Sequence, residues 1–211
     1  MRTWASTVFL GESRRAILTR VLVLLAIVGA VMWVLPLRKP GEEGTRYRHP
    51  PAELDLFERA GVIEFKEGQR GPGFRLATLD GQSVTLQNYA GKLVVLNFWA
   101  TWCTPCEVEM PTLESLWQKL RERGLAVVGV NVDRGAPRSL IEPYVRGKKL
   151  TFPILLDPDM ATAQAWRVTG LPATFLVKPT GEVVGLAQGL REWDSKVMLA
   201  LLETLLPHRG R

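Results

Sequence analysis

The chain has 211 residues, 46% of them hydrophobic, and a formal charge of +6 at pH 7. That length and composition suit one medium domain with extensions and a buried core, which excludes disorder throughout. Residues 1–50 hold eight Lys and Arg against three Asp and Glu, whereas residues 75–211 hold sixteen against thirteen. The folded part therefore lacks the concentrated basic patch of a nucleic-acid-binding face, and no nucleic-acid partner is expected.

The first predicted element is an apolar run from Val21 to Leu37, seventeen residues without a charge. As a helix it would rise about 26 Å against a hydrocarbon core of about 30 Å. Ala16 to Thr19 lengthen it if Arg20 snorkels toward the headgroups. Arg2, Arg14, Arg15 and Arg20 precede it, so residues 1–20 are expected on the cytoplasmic side and 21–37 as a single membrane anchor, although Arg38 and Lys39 oppose that bias. A cleaved secretory signal shares this pattern, but Trp33, Val34, Leu35, Pro36, Leu37 and Arg38 stand where a small-x-small cleavage site would lie. Either reading exports the remainder. No cysteine lies near the run to take a lipid.

Residues 38–73 are rich in Gly, Pro and charge and read as a linker, with a short helix expected from Pro51 to Ala60 and Gly61 just past its end. The domain is expected over 74–206, followed by a tail at 207–211. Arg75–Thr78 and Ser83–Leu86 flank Asp80-Gly81, which predicts a β-hairpin. Leu93–Trp99 is nearly all apolar, the pattern of a strand covered on both faces. A helix from Cys103 to Arg123, a strand over Ala126–Val132, a helix over Arg138–Arg146, a short strand at Pro153–Leu156 and a helical turn at Ala161–Trp166 follow. Strands at Ala173–Val177 and Glu182–Leu186 are joined by Pro179-Thr180-Gly181, and a last helix runs from Asp194 to Leu206. The alternation predicts an α/β fold: a mixed central sheet with helices on both faces and a ligand-facing end where strands meet helix N-termini.

That end holds Ala100-Thr101-Trp102-Cys103-Thr104-Pro105-Cys106, and these are the chain's two cysteines. Three positions apart at a helix start, their sulfurs share one face, and the outward-pointing amides there stabilise negative charge. A thiol with an ordinary pKa of about 8.5 can fall to about 3.5–7.5 in such a place, which makes Cys103 the candidate nucleophile. Cys106, deeper in the helix, would then attack the mixed disulfide and release the substrate. Pro105 limits the conformations of the loop between them. A purely structural disulfide would close a four-residue loop, for only about 2 kcal/mol in the chain-entropy model. Structural zinc needs four ligands, and the remaining soft candidates, His49 and His208, lie outside the domain. Their position also removes Cys-His catalysis.

The segment Phe98-Trp99-Ala100-Thr101-Trp102-Cys103-Thr104-Pro105-Cys106, followed by Pro111, resembles the active site of thioredoxin-fold proteins. Asn97, Glu109, the apolar N-terminal run and the stretch Arg138–Leu150 resemble more narrowly the TlpA/ResA/CcmG group of membrane-anchored extracytoplasmic reductases. The resemblance covers Phe74 to Leu206. It implies a thioredoxin fold carrying an N-terminal β-hairpin extension, and a redox-active cysteine pair needing no cofactor or metal. It also implies a domain on the periplasmic side of a bacterial inner membrane. The implied partners are exported protein disulfides, apocytochrome c among them, and a membrane thiol donor of electrons. Gly170-Leu171-Pro172-Ala173-Thr174 matches the loop whose proline, here Pro172, is cis and lies against the cysteines. Leu171 would offer its backbone to an extended substrate segment. Trp102, Thr104 and Pro105 complete the expected substrate-contacting surface.

Thioredoxins carry a buried aspartate where this chain has Asn97, which cannot titrate. By the resemblance Glu109 takes over: one helical turn past Cys106, it would accept that thiol's proton or raise the thiol pKa values by repulsion. The alternative is a solvated helix charge like Glu107. Trp99, Trp117, Trp166 and Trp193 read as packing residues, and Pro111 as a kink in its helix. Three other functions stay in view. The pair could run as an oxidase or isomerase, since direction depends on the relative stability of dithiol and disulfide. A copper chaperone would bind Cu(I) through both sulfurs, though without the histidine such proteins normally add. A peroxidase would need a Pro-x-x-x-Thr/Ser-x-x-Cys pattern, which Trp99 and Thr104 do not supply.

Overall fold

The computed structural model describes residues 14–34 and 55–207. The chain divides into two compact units, 1–49 and 50–211. In the first, helix α1 spans Arg14–Val34, and the large apolar side chains from Leu18 to Val31 are exposed. Among the described residues no helix is long and apolar enough to cross a membrane. Of the expected anchor, Val21–Val34 lies within α1, and residues 35–37 lie outside the described residues. Residues 1–13, the first part of the expected linker (38–54), the start of the short helix at Pro51 and the tail from His208 also lie outside them.

The second unit is built on an eight-stranded mixed sheet. In chain order its elements are α2 (Leu56–Arg59), β1 (Ile63–Arg70), β2 (Arg75–Thr78), β3 (Ser83–Thr85), β4 (Leu93–Trp99), α3 (Thr104–Leu120), β5 (Leu125–Asn131), α4 (Arg138–Gly147), β6 (Ile154–Leu156), α5 (Ala161–Ala165), β7 (Ala173–Val177), β8 (Glu182–Gln188) and α6 (Lys196–Leu205). The strand order is β1-β8-β7-β4-β5-β6-β2-β3. β4 pairs parallel with β5 and antiparallel with β7. Every residue of these three strands is buried, so both faces are covered, as the unbroken apolar runs require.

The hairpin forms as expected from Thr78 to Gln82: the Thr78 Oγ1 hydroxyl donates to Asp80, and Gly81 takes the left-handed conformation at φ 89°. It sits at the sheet's edge, where β2 runs antiparallel to β6.

The expected linker needs correction. Its last part is not a tether but the first portion of the domain: Asp55 caps α2 by accepting from Phe57 N, and β1 adds an antiparallel strand beside β8. The register jumps between Glu64 and Gln69, so the residues between bulge out of the ladder. That irregularity removes the alternation by which a strand is recognised, leaving Phe65 the one residue of β1 not fully exposed. Gly185 of β8 shows how tightly the extension packs: a Cβ there would stand 2.8 Å from Val62 and 3.1 Å from Phe57.

Candidate active site

β4 and the turn after it place the cysteines. Buried Asp133, just beyond β5, anchors that turn: Thr101 N donates to both carboxylate oxygens at 3.2 and 3.0 Å. Asn131 Nδ2 holds the same carboxylate at 2.8 Å. Cys103 N donates to Ala100 O at 3.2 Å and closes the turn. Cys103 is then the N-cap of α3, its sulfur accepting from Cys106 N at 3.2 Å, and Thr104 and Pro105 fill the first turn, where a missing N–H costs nothing. The two cysteines are joined in a disulfide. Cys106 is fully buried and Cys103 nearly so. Attack from outside therefore has to come at Cys103, and Cys106 is left to act within the molecule.

A cleft of about 590 Å³ opens over Cys103, lined by Trp102, Thr104, Pro105, Met160, Val168 and Leu171 among others. Four of the residues expected to contact substrate line it, and Pro172 adjoins it through the cis peptide bond Leu171–Pro172. Gly189 N donates to Pro172 O at 2.8 Å, tying this loop to the end of β8. Trp102 is 71% exposed, an unusual state for the largest apolar side chain.

Glu109 is fully buried, which removes the reading as a solvated charge. At three residues past Cys106 its Cβ stands about 5–6 Å from that of the cysteine, the helical neighbour distance. Asn97 Nδ2 donates to Glu109 Oε1 at 2.7 Å and to Thr174 Oγ1 at 2.9 Å. Arg191 N and Trp193 Nε1 each donate to Oε2 at 3.3 Å. Burial pushes the carboxyl up from 4.5 to about 7, against the pull of these donors and of the Arg191 charge. A group with that pKa is divided between acid and carboxylate near neutral pH, as a proton acceptor must be. Asn97 keeps the strand side neutral; a carboxylate there would face Glu109 at hydrogen-bond distance.

Trp193 was expected only to pack. It is fully buried, but it also holds Glu109, a contact between residues 84 apart in sequence. Trp99 and Trp166 are core residues, Trp99 stacked on Tyr144 at 5.1 Å and Trp166 edge-on to Phe175 at 4.9 Å. The helix α3 continues through Pro111 to Leu120. Among the described residues no group of three or more His, Cys, Asp and Glu is placed to hold a metal ion.

A thioredoxin-like α/β fold that caps a helix with one sulfur of a Cys-x-x-Cys disulfide, beside a cis-proline loop, defines a thiol-disulfide oxidoreductase. The chain matches the AhpC/TSA family over residues 68–185, more than half its length, and belongs to that family. It is 35% identical over 130 residues to the thiol-disulfide oxidoreductase ResA of Bacillus subtilis (strain 168), covering 62% of this chain and 72% of that protein. It is 40% identical over 122 residues to ResA of Geobacillus kaustophilus (strain HTA426), covering 58% and 69%. Among solved structures, a putative thiol:disulfide interchange protein DsbE from Chlorobium tepidum superposes with a TM-score of 0.61 at 28% identity. The match covers 67% of this chain and 98% of that one.

Proposed function

We propose that this protein reduces disulfides in exported proteins on the extracytoplasmic side of a bacterial cell membrane, with the paired heme-site cysteines of apocytochrome c as the favoured substrate. The observation that carries the reading is the asymmetry of the pair: Cys103 caps the helix beneath the cleft, while fully buried Cys106 lies one turn from a buried carboxyl.

In the reduced protein the Cys103 thiolate attacks one sulfur of the substrate disulfide. A Cys103–substrate bond forms and the other substrate sulfur leaves as a thiolate. Glu109 takes the Cys106 proton, Cys106 attacks Cys103 Sγ, and the Cys103–Cys106 disulfide forms as the second substrate sulfur departs. Two electrons pass to the substrate, and a membrane dithiol donor restores the pair. Trp102, Thr104 and Pro105 hold the substrate over Cys103, and Leu171 and Pro172 offer backbone to its extended chain.

Tethering through the apolar run Val21–Leu37 belongs to the same proposal. Its support is the exposed apolar series from Leu18 to Val31 and the gain in local concentration that a tether gives toward a membrane partner. The names of the relatives, thiol-disulfide oxidoreductase and thiol:disulfide interchange protein, support thiol–disulfide exchange at the cysteine pair.

The test replaces Cys106 with Ser in the full-length chain, expressed in its host, and identifies what stays disulfide-linked to Cys103. Apocytochrome c or other exported cysteine proteins are expected in the trap, and none when Cys103 is also replaced. If nothing is trapped and the purified reduced protein does not reduce a protein disulfide, the proposal fails.

A further inference from the structure

The loop from Gly189 to Ser195, between β8 and α6, touches three parts of the site at once. Gly189 N donates to Pro172 O at 2.8 Å, Arg191 N and Trp193 Nε1 donate to Glu109 Oε2, and Trp193 N donates to Thr112 Oγ1 at 3.1 Å. Nothing in the local sequence makes such a loop rigid. Beside these bonds and the buried Trp193 ring, the Arg191 guanidinium ties the loop to a distant segment. Nη1 donates to Leu190 O at 2.8 Å, within the loop, while Nε and Nη2 both donate to Gly61 O, at 3.1 and 2.8 Å. Gly61 lies in the turn between α2 and β1, 130 residues away in sequence. The fork of donors is a geometry that arginine supplies and lysine does not.

We propose that Arg191 is a positioning residue for the proton step: by clamping the β8–α6 loop onto the Gly61 carbonyl, it holds that loop's N–H donors on Glu109. The acid–base behaviour of Glu109 is thereby tied to the docking of the N-terminal extension, residues 55–70. This rests on the proposed role of Glu109 as acceptor of the Cys106 proton.

The surroundings of Glu109 leave the loop in control. β4 presents Asn97, and β7 presents Thr174 behind it; neither titrates. α3 itself brings Cys106, one turn before. The charged side chain acting on Glu109 is Arg191. Hydrogen bonds to the ionised form lower a carboxyl's pKa, so loosening the loop raises the pH at which Glu109 becomes a base. The Gly61 side is just as sensitive: Gly61 has φ +67°, and a Cβ there would stand 2.9 Å from Arg191 Nε.

The test uses the full-length reduced protein and 5,5′-dithiobis(2-nitrobenzoate). The first thionitrobenzoate released reports Cys103; the second reports attack by Cys106 on the mixed disulfide. The second rate is followed from pH 5 to 9 in wild type, Arg191→Gln, Arg191→Lys, Gly61→Ala, Glu109→Gln and the double variant Arg191→Gln/Glu109→Gln. Arg191→Gln, Arg191→Lys and Gly61→Ala are expected to move the Glu109-dependent inflection upward by about one pH unit, a tenfold change in proton affinity. Glu109→Gln removes the inflection, and Arg191→Gln then has no further effect. If Glu109→Gln leaves the profile unchanged, the base role itself fails, and the clamp with it. If Glu109→Gln removes the inflection but the Arg191 and Gly61 variants do not move it, the clamp is overturned and the base stands. If Arg191→Lys behaves as wild type, charge alone acts and the clamp is overturned. The same holds if Arg191→Gln still shifts the profile without Glu109.

Discussion

Glu109 makes a prediction about stability as well as reactivity. Its carboxyl is raised from 4.5 to about 7 in the folded protein, chiefly by desolvation. Below pH 4.5 it is protonated in both folded and unfolded chains and costs nothing. Between 4.5 and about 7 the unfolded chain releases this proton and the folded one keeps it, so stability falls as pH rises. A shift of about 2.5 units at about 1.4 kcal/mol each gives a loss of about 3 kcal/mol, complete by about pH 8. Glu109→Gln has no proton to release there. Urea unfolding of the oxidised protein at pH 4.5, 6, 7 and 8, with wild type and Glu109→Gln compared at each, isolates the term. Asp157, whose carboxyl burial also raises, is present in both proteins and cancels. The wild-type advantage over the variant, whatever its value at pH 4.5, is expected to shrink by about 3 kcal/mol by pH 8. A difference independent of pH would refute the account of a buried, proton-holding carboxyl.

Asn97→Asp places a second carboxyl against Glu109 Oε1, where Asn97 Nδ2 now donates. The two acids then share a proton, and the inflection in Cys106 reactivity is expected to move up by at least about one pH unit, read by the same thionitrobenzoate kinetics. Trp102→Ala removes an exposed side chain at the cleft. Stability is expected to change by less than about 0.5 kcal/mol, while KM for a protein disulfide rises about fivefold, the equivalent of about 1 kcal/mol of contact. Turnover of a small disulfide should be unchanged, and an equal loss on both would show that Trp102 shapes the cysteine turn instead. Gly71→Ala puts a Cβ 2.6 Å from the Trp166 ring and 3.1 Å from Val183. Overpacking of that kind costs about 1–3 kcal/mol, visible as a lower urea midpoint with an unchanged slope.

The parts of the site that could be read from the sequence are those written in one short stretch. Trp102 to Cys106 lies between a buried strand and its helix, so the residues that react are also neighbours in the chain. Pro172 is legible through the family resemblance of its five-residue pattern, and β4 through an apolar run that fits a strand covered on both faces. The parts that escaped are held by contacts between distant segments. Trp193 looks like any core aromatic until its indole N–H is seen on Glu109, and Asp133 looks like a loop acid until its carboxylate is seen on Thr101 N. β1 reads as linker in the sequence because its bulge spoils the period-two pattern, and because an edge strand beside β8 has little apolar residue to show.

That bulge bears on the open edge of the sheet. If the substrates are the exported proteins proposed above, their backbones are still unpaired, and an open, regular sheet edge would recruit them indiscriminately. In β1 the ladder breaks between Glu64 and Gln69, and the irregular stretch carries Lys66 and Glu67, so the outer margin of the sheet is a poor template for a stranger's strand. Traffic is turned away from the rim and left to the mouth of the molecule, where the sulfur is.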